Sequence, residues 1–316
     1  MELSIVISLY NEEESLGELV DWIERSLDGK VGDYEIIMVN DGSTDSSWKV
    51  IKELSQSHSR IHGICFRRNY GKSAALYEGF AAAKGDIVVT MDADLQDNPE
   101  EIPEMMRMIN EEGYDLVSGW KQKRFDNKLT KNIPSKLYNA TARKVTGIKL
   151  HDMNCGLKAY RNEVVKNIEV YGEMHRFIPY LAKQAGFGNI GEKVVHHQAR
   201  KYGKSKFGID RFIHGFLDLL SIWFLQKFGK KPMHLFGGLG TLTFLVGIII
   251  TIWLIIKKLV AQGNGMPFRP VADQPLFYLA LVAVILGAQL FLTGFIGELI
   301  SRNSQERNQY NIKETF

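Results

Sequence analysis

The chain has 316 residues, 45% of them hydrophobic and 24% charged, with a formal net charge of +3. That length holds one large domain or two smaller ones, and so small a charge argues against nucleic acid as a partner. Two cysteines, Cys65 and Cys155, exclude a disulfide framework and suit a reducing compartment.

Met1-Glu2-Leu3 opens directly into a strand pattern that Asn11-Glu12-Glu13-Glu14 interrupts, so a signal peptide is not expected there and the N-terminal part should stay in the cytoplasm. Strand-like and helical runs then alternate. Leu3 to Leu9 reads as a strand and Glu13 to Leu27 as a helix. Tyr34 to Val39 is a strand, Thr44 to Ser57 a helix, Ile61 to Phe66 a strand and Lys72 to Ala83 a helix. Ile87 to Met91 is a fourth strand, Pro99 to Asn110 a helix opened by proline, and Tyr114 to Ser118 a fifth strand. This order predicts an α/β fold with a mainly parallel sheet covered by helices. Such sheets bind ligands beyond the carboxyl ends of their strands.

The polar residues fall at those ends. The first strand runs into Tyr10-Asn11-Glu12, and the second into Asn40-Asp41-Gly42-Ser43-Thr44-Asp45. Asp41-Gly42 reads as a turn, with Ser43 or Thr44 as the cap of the next helix. Asp41 and Glu12 could also accept hydrogen bonds from a base or ribose. The third strand leads to Arg67-Arg68-Asn69-Tyr70-Gly71-Lys72, a basic turn at a helix N-terminus that reads as an anion site including Lys72, or equally as a solvated loop. The fourth ends in Asp92-Ala93-Asp94-Leu95-Gln96. If the extended conformation persists, Asp92, Asp94 and Gln96 share one face. Two carboxylates and an amide oxygen suit Mg²⁺ or Mn²⁺, particularly with phosphates completing the shell. Lys121, Lys123 and Arg124 open a basic loop that reads as a flap over the site or as plain solvated chain.

Past residue 200 the character changes. Arg200-Lys201-Tyr202-Gly203-Lys204-Ser205-Lys206 is a basic run, and simple attraction to anionic lipid accounts for it at about 1 kcal/mol per cation. Phe207 to Phe228 places Ile209, Phe212, Ile213, Phe216, Leu217, Leu220 and Phe224 at helical spacings, as in an amphipathic helix at a membrane interface or an ordinary core helix. Leu235 to Ile256 and Pro275 to Gly297 carry no charge and approach the roughly 20 residues that cross a bilayer. Lys227, Lys230 and Lys231 precede the first, and Arg302, Arg307 and Lys313 follow the second, which favours both ends in the cytoplasm.

Ser8-Leu9-Tyr10-Asn11-Glu12, Asn40-Asp41-Gly42-Ser43-Thr44-Asp45 and Asp92-Ala93-Asp94-Leu95-Gln96, in this order and with this membrane tail, resemble the family-2 glycosyltransferases of GT-A fold. The closer match is the polyprenyl-phosphate branch, which includes dolichol-phosphate mannose synthase and the bacterial undecaprenyl-phosphate glucosyltransferases. The resemblance implies a GT-A (Rossmann-like) catalytic domain over residues 1–205, a juxtamembrane amphipathic helix over 206–233, a two-helix transmembrane domain over 234–299 and a cytoplasmic tail over 300–316. It implies that Tyr10, Glu12 and Asp41 line the nucleoside of a sugar nucleotide, a UDP-sugar ahead of a GDP-sugar. Asp92 then lies near the donor, and Asp94 and Gln96 hold Mg²⁺ or Mn²⁺ on its diphosphate. Lys72, Arg124, Arg200, Ser205 and Lys206 would contact donor or acceptor phosphates. Asp152-Met153-Asn154-Cys155-Gly156 takes the place of the family's Asp-x-x-x-Gly segment near the acceptor, with Asn154-Cys155 where small hydroxyl residues are common. Asp92, Asp94, Asp152, Arg200 and Lys206 are the residues expected to carry catalysis. The implied reaction is inverting transfer of one sugar to polyprenyl (undecaprenyl) phosphate at the inner face of the cytoplasmic membrane. Partners are the sugar nucleotide, the lipid phosphate, the bilayer and, by resemblance, further copies of the chain in a tetramer. A glycosyltransferase with another acceptor and a processive polysaccharide synthase are the alternatives; the latter is disfavoured because no Gln-x-x-Arg-Trp segment is present.

Overall fold

The computed structural model describes residues 1–122, 133–199, 201–202, 231–267 and 269–303, with isolated positions between 217 and 228. The chain divides into two compact units, Met1–Leu219 and Leu220–Phe316. Most of the expected juxtamembrane helix lies outside the described residues.

In the first unit, seven strands among the described residues form one sheet: β1 (Leu3–Leu9), β2 (Tyr34–Asn40), β3 (Ile61–Cys65), β4 (Ile87–Asp92), β5 (Leu116–Trp120), β6 (Lys158–Arg161) and β7 (Ile190–Val194). Their order is β3-β2-β1-β4-β6-β5-β7. The central strands β1, β2 and β4 are buried almost end to end, as strands covered on both faces must be, and their sequences are correspondingly near-continuous apolar runs. Ile5 and Ile7 of β1 enter the core on one face while Val6 enters the core on the other, following the two-residue period of a strand.

Helices α1 (Leu16–Leu27), α2 (Ser47–Ser57), α3 (Lys72–Ala82), α4 (Ile102–Glu111), α5 (Ile133–Thr146), α6 (Asn162–Lys166) and α7 (Ile178–Gln184) complete the unit. On α1, Leu16, Leu19, Val20, Ile23 and Leu27 recur at helical spacing and are all buried. The first two helices start three residues later than the sequence pattern suggests, because Glu13 and Thr44 are held in the preceding turns. On α3, a Cβ at Gly79 would lie 2.3 Å from Val6 Cγ1, so this helix seats directly on β1 through a residue without a side chain.

The register gathers the three polar turns. Leu9 pairs with Asn40 across β1 and β2, and Ser8 pairs with Asp92 across β1 and β4. All three strands therefore finish side by side at one sheet edge. β6, which the sequence pattern does not predict, runs antiparallel between β4 and β5. Its reversed direction brings the 152–156 segment, which precedes it, to that same edge.

In the second unit, α8 (Pro232–Gly263) and α9 (Pro275–Asn303) are joined through a short 3-10 turn, Val271–Asp273. Two apolar stretches, Pro232–Gly263 and Pro275–Ile300, have mean hydropathies of 2.5 and 2.4 and are long enough to cross a membrane. The helices meet through glycines. A Cβ at Gly240 would lie 2.6 Å from Phe291 N, one at Gly247 2.7 Å from Ala280 O, and one at Gly287 2.5 Å from Phe244 N. Such contacts between backbones need residues without side chains at the crossing.

Candidate active site

The turns after β1 and β2 interlock. Asn11 adopts φ +57°, a left-handed conformation that asparagine tolerates better than most residues. Its backbone N–H donates to Ser43 Oγ at 2.9 Å, and its Oδ1 accepts from Thr44 N at 2.8 Å. Ser43 and Thr44 are therefore joined to the first turn and do not cap α2, contrary to the sequence expectation. Glu12 N donates to Ser47 Oγ at 3.0 Å, which fixes the start of α2 against the same turn. Tyr10 and Glu12 are half-buried at this edge.

Asp41 is buried, and both its carboxylate oxygens accept main-chain N–H groups: Tyr70 N at 2.7 Å and Gly71 N at 3.0 Å. The helix N-terminus that the sequence marks as an anion site thus has an anion, supplied by the chain itself. Gly42, at φ +67°, allows this approach, since a Cβ there would lie 2.3 Å from Arg68 C. One residue on, Lys72 Nζ pairs with Asp92 Oδ1.

Asp92 is the last residue of β4. The extended conformation does not continue to Gln96, because Leu95 takes φ +61°. The expected two-residue alternation of Asp92, Asp94 and Gln96 is therefore replaced by a turn. Within it, Gln96 N donates to Asp94 Oδ1 at 3.2 Å, and Asp97 Oδ2 accepts from Asp92 N at 3.2 Å. Gln96 Nε2 donates to Gln198 O at 3.3 Å, which turns the amide oxygen the other way. Burial opposes ionisation of Asp92, but the ammonium groups of Lys72, Lys121 and Lys158 overcome it and hold the carboxyl well below the usual carboxylate range.

Beneath the turn lies a charged layer that motif spacing does not reveal. Lys121, at the end of β5, pairs with Asp97 Oδ1 at 2.7 Å. Burial alone would lower the Lys121 pKa, and Asp97 and Asp92 raise it instead. Lys158 is buried on β6 and donates to Cys155 O; burial lowers its pKa. Burial also pushes the Cys155 thiol up to about 12, so this cysteine is an inert core group. Gly156 passes so close that a Cβ there would lie 2.6 Å from Asp92 Oδ2.

Asp152 is buried, and its N–H donates to Glu192 Oε1 at 3.1 Å. The neighbouring His151 pairs with Glu192 Oε2 at 2.6 Å and stacks on Trp120 with ring centroids 4.1 Å apart. β7 thus supplies the carboxylate that fixes the 151–152 segment. The structure brings together Asp41, Lys72, Asp92, Asp94, Gln96 and Asp152 with the first turn at one edge. Arg124, Arg200, Ser205 and Lys206 lie outside the described residues.

Among the described residues, no three His, Cys, Asp or Glu side chains gather so as to hold a metal ion by themselves. Asp94 and Gln96 offer hard oxygen donors, few in number, which fits an ion whose remaining ligands come from water and substrate phosphate.

Residues 4–169 match the glycosyl transferase family 2 model. The chain is 36% identical over 304 residues, 96% of its length and 88% of the relative's, to dodecaprenyl-phosphate galacturonate synthase of Rhizobium johnstonii. It is 37% identical over 302 residues, 95% of its length and 87% of the relative's, to undecaprenyl-phosphate 4-deoxy-4-formamido-L-arabinose transferase of Shewanella sediminis. Among solved structures it is similar to glucosyl-3-phosphoglycerate synthase of Mycobacterium tuberculosis in complex with UDP, with a TM-score of 0.54, 23% identity and coverage of 70% of this chain and 80% of that one. The same enzyme in complex with Mn²⁺, UDP-glucose and phosphoglyceric acid matches with a TM-score of 0.52 at 23% identity, covering 70% of this chain and 79% of that one.

Proposed function

The chain belongs to glycosyl transferase family 2, and from that premise we propose that it transfers one sugar from a nucleoside-diphosphate sugar to a polyprenyl phosphate at the cytoplasmic face of a membrane. The observation that carries this reading is the similarity over 96% of the chain, apolar hairpin included, to a dodecaprenyl-phosphate galacturonate synthase. The tight turn after β4, next to the 152–156 segment, supports it.

In this reading the Asp94 carboxylate and the Gln96 amide oxygen are the groups that would hold Mg²⁺ or Mn²⁺ at the donor site. When bound, the ion supplies Lewis-acid neutralisation of the departing diphosphate. Lys72 adds fixed positive charge where negative charge develops. Tyr10, Glu12 and Asp41 line the nucleoside; each Asp41 oxygen keeps a lone pair beyond the N–H group it already accepts. Arg124, Arg200, Ser205 and Lys206 contact phosphate groups, and Asp152 shapes the acceptor side. A phosphate monoester has a second pKa of about 6 and arrives largely ionised. It therefore attacks the anomeric carbon without a dedicated protein base, and in-line displacement inverts that carbon. The donor is a UDP-sugar, both termini face the cytoplasm, and further copies of the chain associate through the membrane helices.

The test is a panel of radiolabelled UDP- and GDP-sugars offered to the purified enzyme with undecaprenyl phosphate. Label extracted into organic solvent as a lipid monophosphate sugar is the expected product, and Asp94→Ala abolishes it without changing the melting temperature. Label found only in soluble or polymeric material overturns the acceptor, and undiminished product from the variant overturns the metal assignment.

A further inference from the structure

Asp97 lies just past the proposed metal ligands, and its side chain is fully shielded from solvent. Its two oxygens serve different elements. Oδ2 accepts from Asp92 N at 3.2 Å, closing the turn from within, and Oδ1 pairs with Lys121 at 2.7 Å. Its main chain forms an antiparallel bridge with His197. On one side of that bridge, Gln198 N donates to Gln96 O at 3.1 Å and Gln96 Nε2 donates to Gln198 O. On the other, His196 N donates to Glu101 Oε1 at 3.2 Å, and Lys193 pairs with Glu101. Residues 193–198 are thus laced onto residues 96–101. Gly156 closes the floor, since a Cβ there would lie 3.0 Å from Asp97 Oδ2.

We infer that Asp97 is a positioning residue that fixes the metal-holding turn to Lys121, just past β5, and to the 193–198 segment, so that the diphosphate site depends on a carboxylate outside the Asp-x-Asp pair. This rests on the proposed metal role of Asp94 and Gln96. A group that only orients ligands acts through their placement. Its loss lowers metal affinity or activity by about 10–100-fold while leaving the ligands in the chain.

The experiment titrates Mn²⁺ into the full-length enzyme by electron paramagnetic resonance, with UDP and GDP each as probe, alongside melting temperature. Asp97→Asn keeps the size of the side chain and an acceptor for Asp92 N but turns an amide toward the Lys121 ammonium. The expected result is Mn²⁺–nucleotide binding weakened about 10–100-fold at an unchanged melting temperature. Lys121→Met reads the same link should Asp97→Asn fail to fold. The two substitutions together should cost little more than either alone, as for residues acting in one network. Wild-type Mn²⁺ binding in the folded Asp97→Asn or Lys121→Met variants, or losses that simply multiply in the double variant, overturns the inference. Asp94→Ala separates the two levels. If it loses Mn²⁺ binding while Asp97→Asn keeps it, this inference alone fails; if Asp94→Ala itself binds normally, the metal assignment beneath it fails.

Discussion

Two carboxylates of the turn after β2 show how one residue type ties a loop to distant chain. Asp41 satisfies two main-chain N–H groups 29 and 30 residues away. Asp41→Ala strips both of their partner, which should cost about 1–3 kcal/mol per orphaned group that stays shielded from water; chemical denaturation of the variant measures it. Asp45 accepts from Ser47 N at 3.0 Å and Glu13 N at 3.3 Å. Burial works against its ionised form, but these bonds and the Ser47 hydroxyl prevail and lower its pKa. A carboxyl lowered in the folded state stabilises the fold above its unfolded pKa, near about 4, and loses that contribution as pH falls through the folded value. The stability gap between wild type and Asp45→Asn should therefore be constant near neutrality and close as pH drops below about 4. A gap that persists in acid would remove Asp45 from that account. Asp41 is visible in the sequence as a turn former. Its partners are not, because nothing near Asp41 in the chain points to Tyr70 and Gly71.

At the scale of elements, the long apolar strands and amphipathic α1 were legible because burial on both sheet faces, or on one helix face, writes a period into the sequence. β6 and β7 were not. Lys-Ala-Tyr-Arg and Ile-Gly-Glu-Lys-Val are short, carry charge and owe their strand conformation to the neighbours they pair with. The residue types of the turn after β4 point to a metal site, but its shape is not legible in them, because Leu95 takes a left-handed φ that no local residue preference announces. The antiparallel insertion of β6 has a direct functional reading. It presses Gly156 onto the end of β4, where the nearest atoms belong to the Asp92 carboxylate. Because the atoms it would meet belong to the Asp92 and Asp97 side chains and not to backbone, Gly156→Ala should disturb chemistry more than folding. A fall in kcat of roughly 10–100-fold, the scale for displaced orienting groups, with a melting temperature within a few degrees of wild type is the expected outcome. An inactive variant that is equally unfolded would assign Gly156 to the core instead.

For the whole molecule, the apolar runs announced the helical hairpin, while the glycine contacts between its backbones became visible only when the two helices were brought together. The proposed orientation places the 271–273 turn outside the cell and the sheet inside. Cys65 is exposed and Cys155 buried, so intact cells provide a low labelling background. Ala272→Cys should react with a membrane-impermeant maleimide in intact cells, whereas Cys65 should react only after the membrane is permeabilised. The reverse pattern would invert the topology and move the nucleotide-sugar site away from its cytoplasmic supply.

The position of β7 has a consequence for biosynthesis. The sheet takes its last strand at Ile190–Val194, and the bridge to Asp97 closes at His197, well before α8 begins at Pro232. A ribosome adding about 5–20 residues per second has therefore made every strand of the sheet some seconds before the first bilayer-length helix. The order of synthesis therefore presents the residues of the sheet, long-range partners included, before the apolar hairpin that follows them.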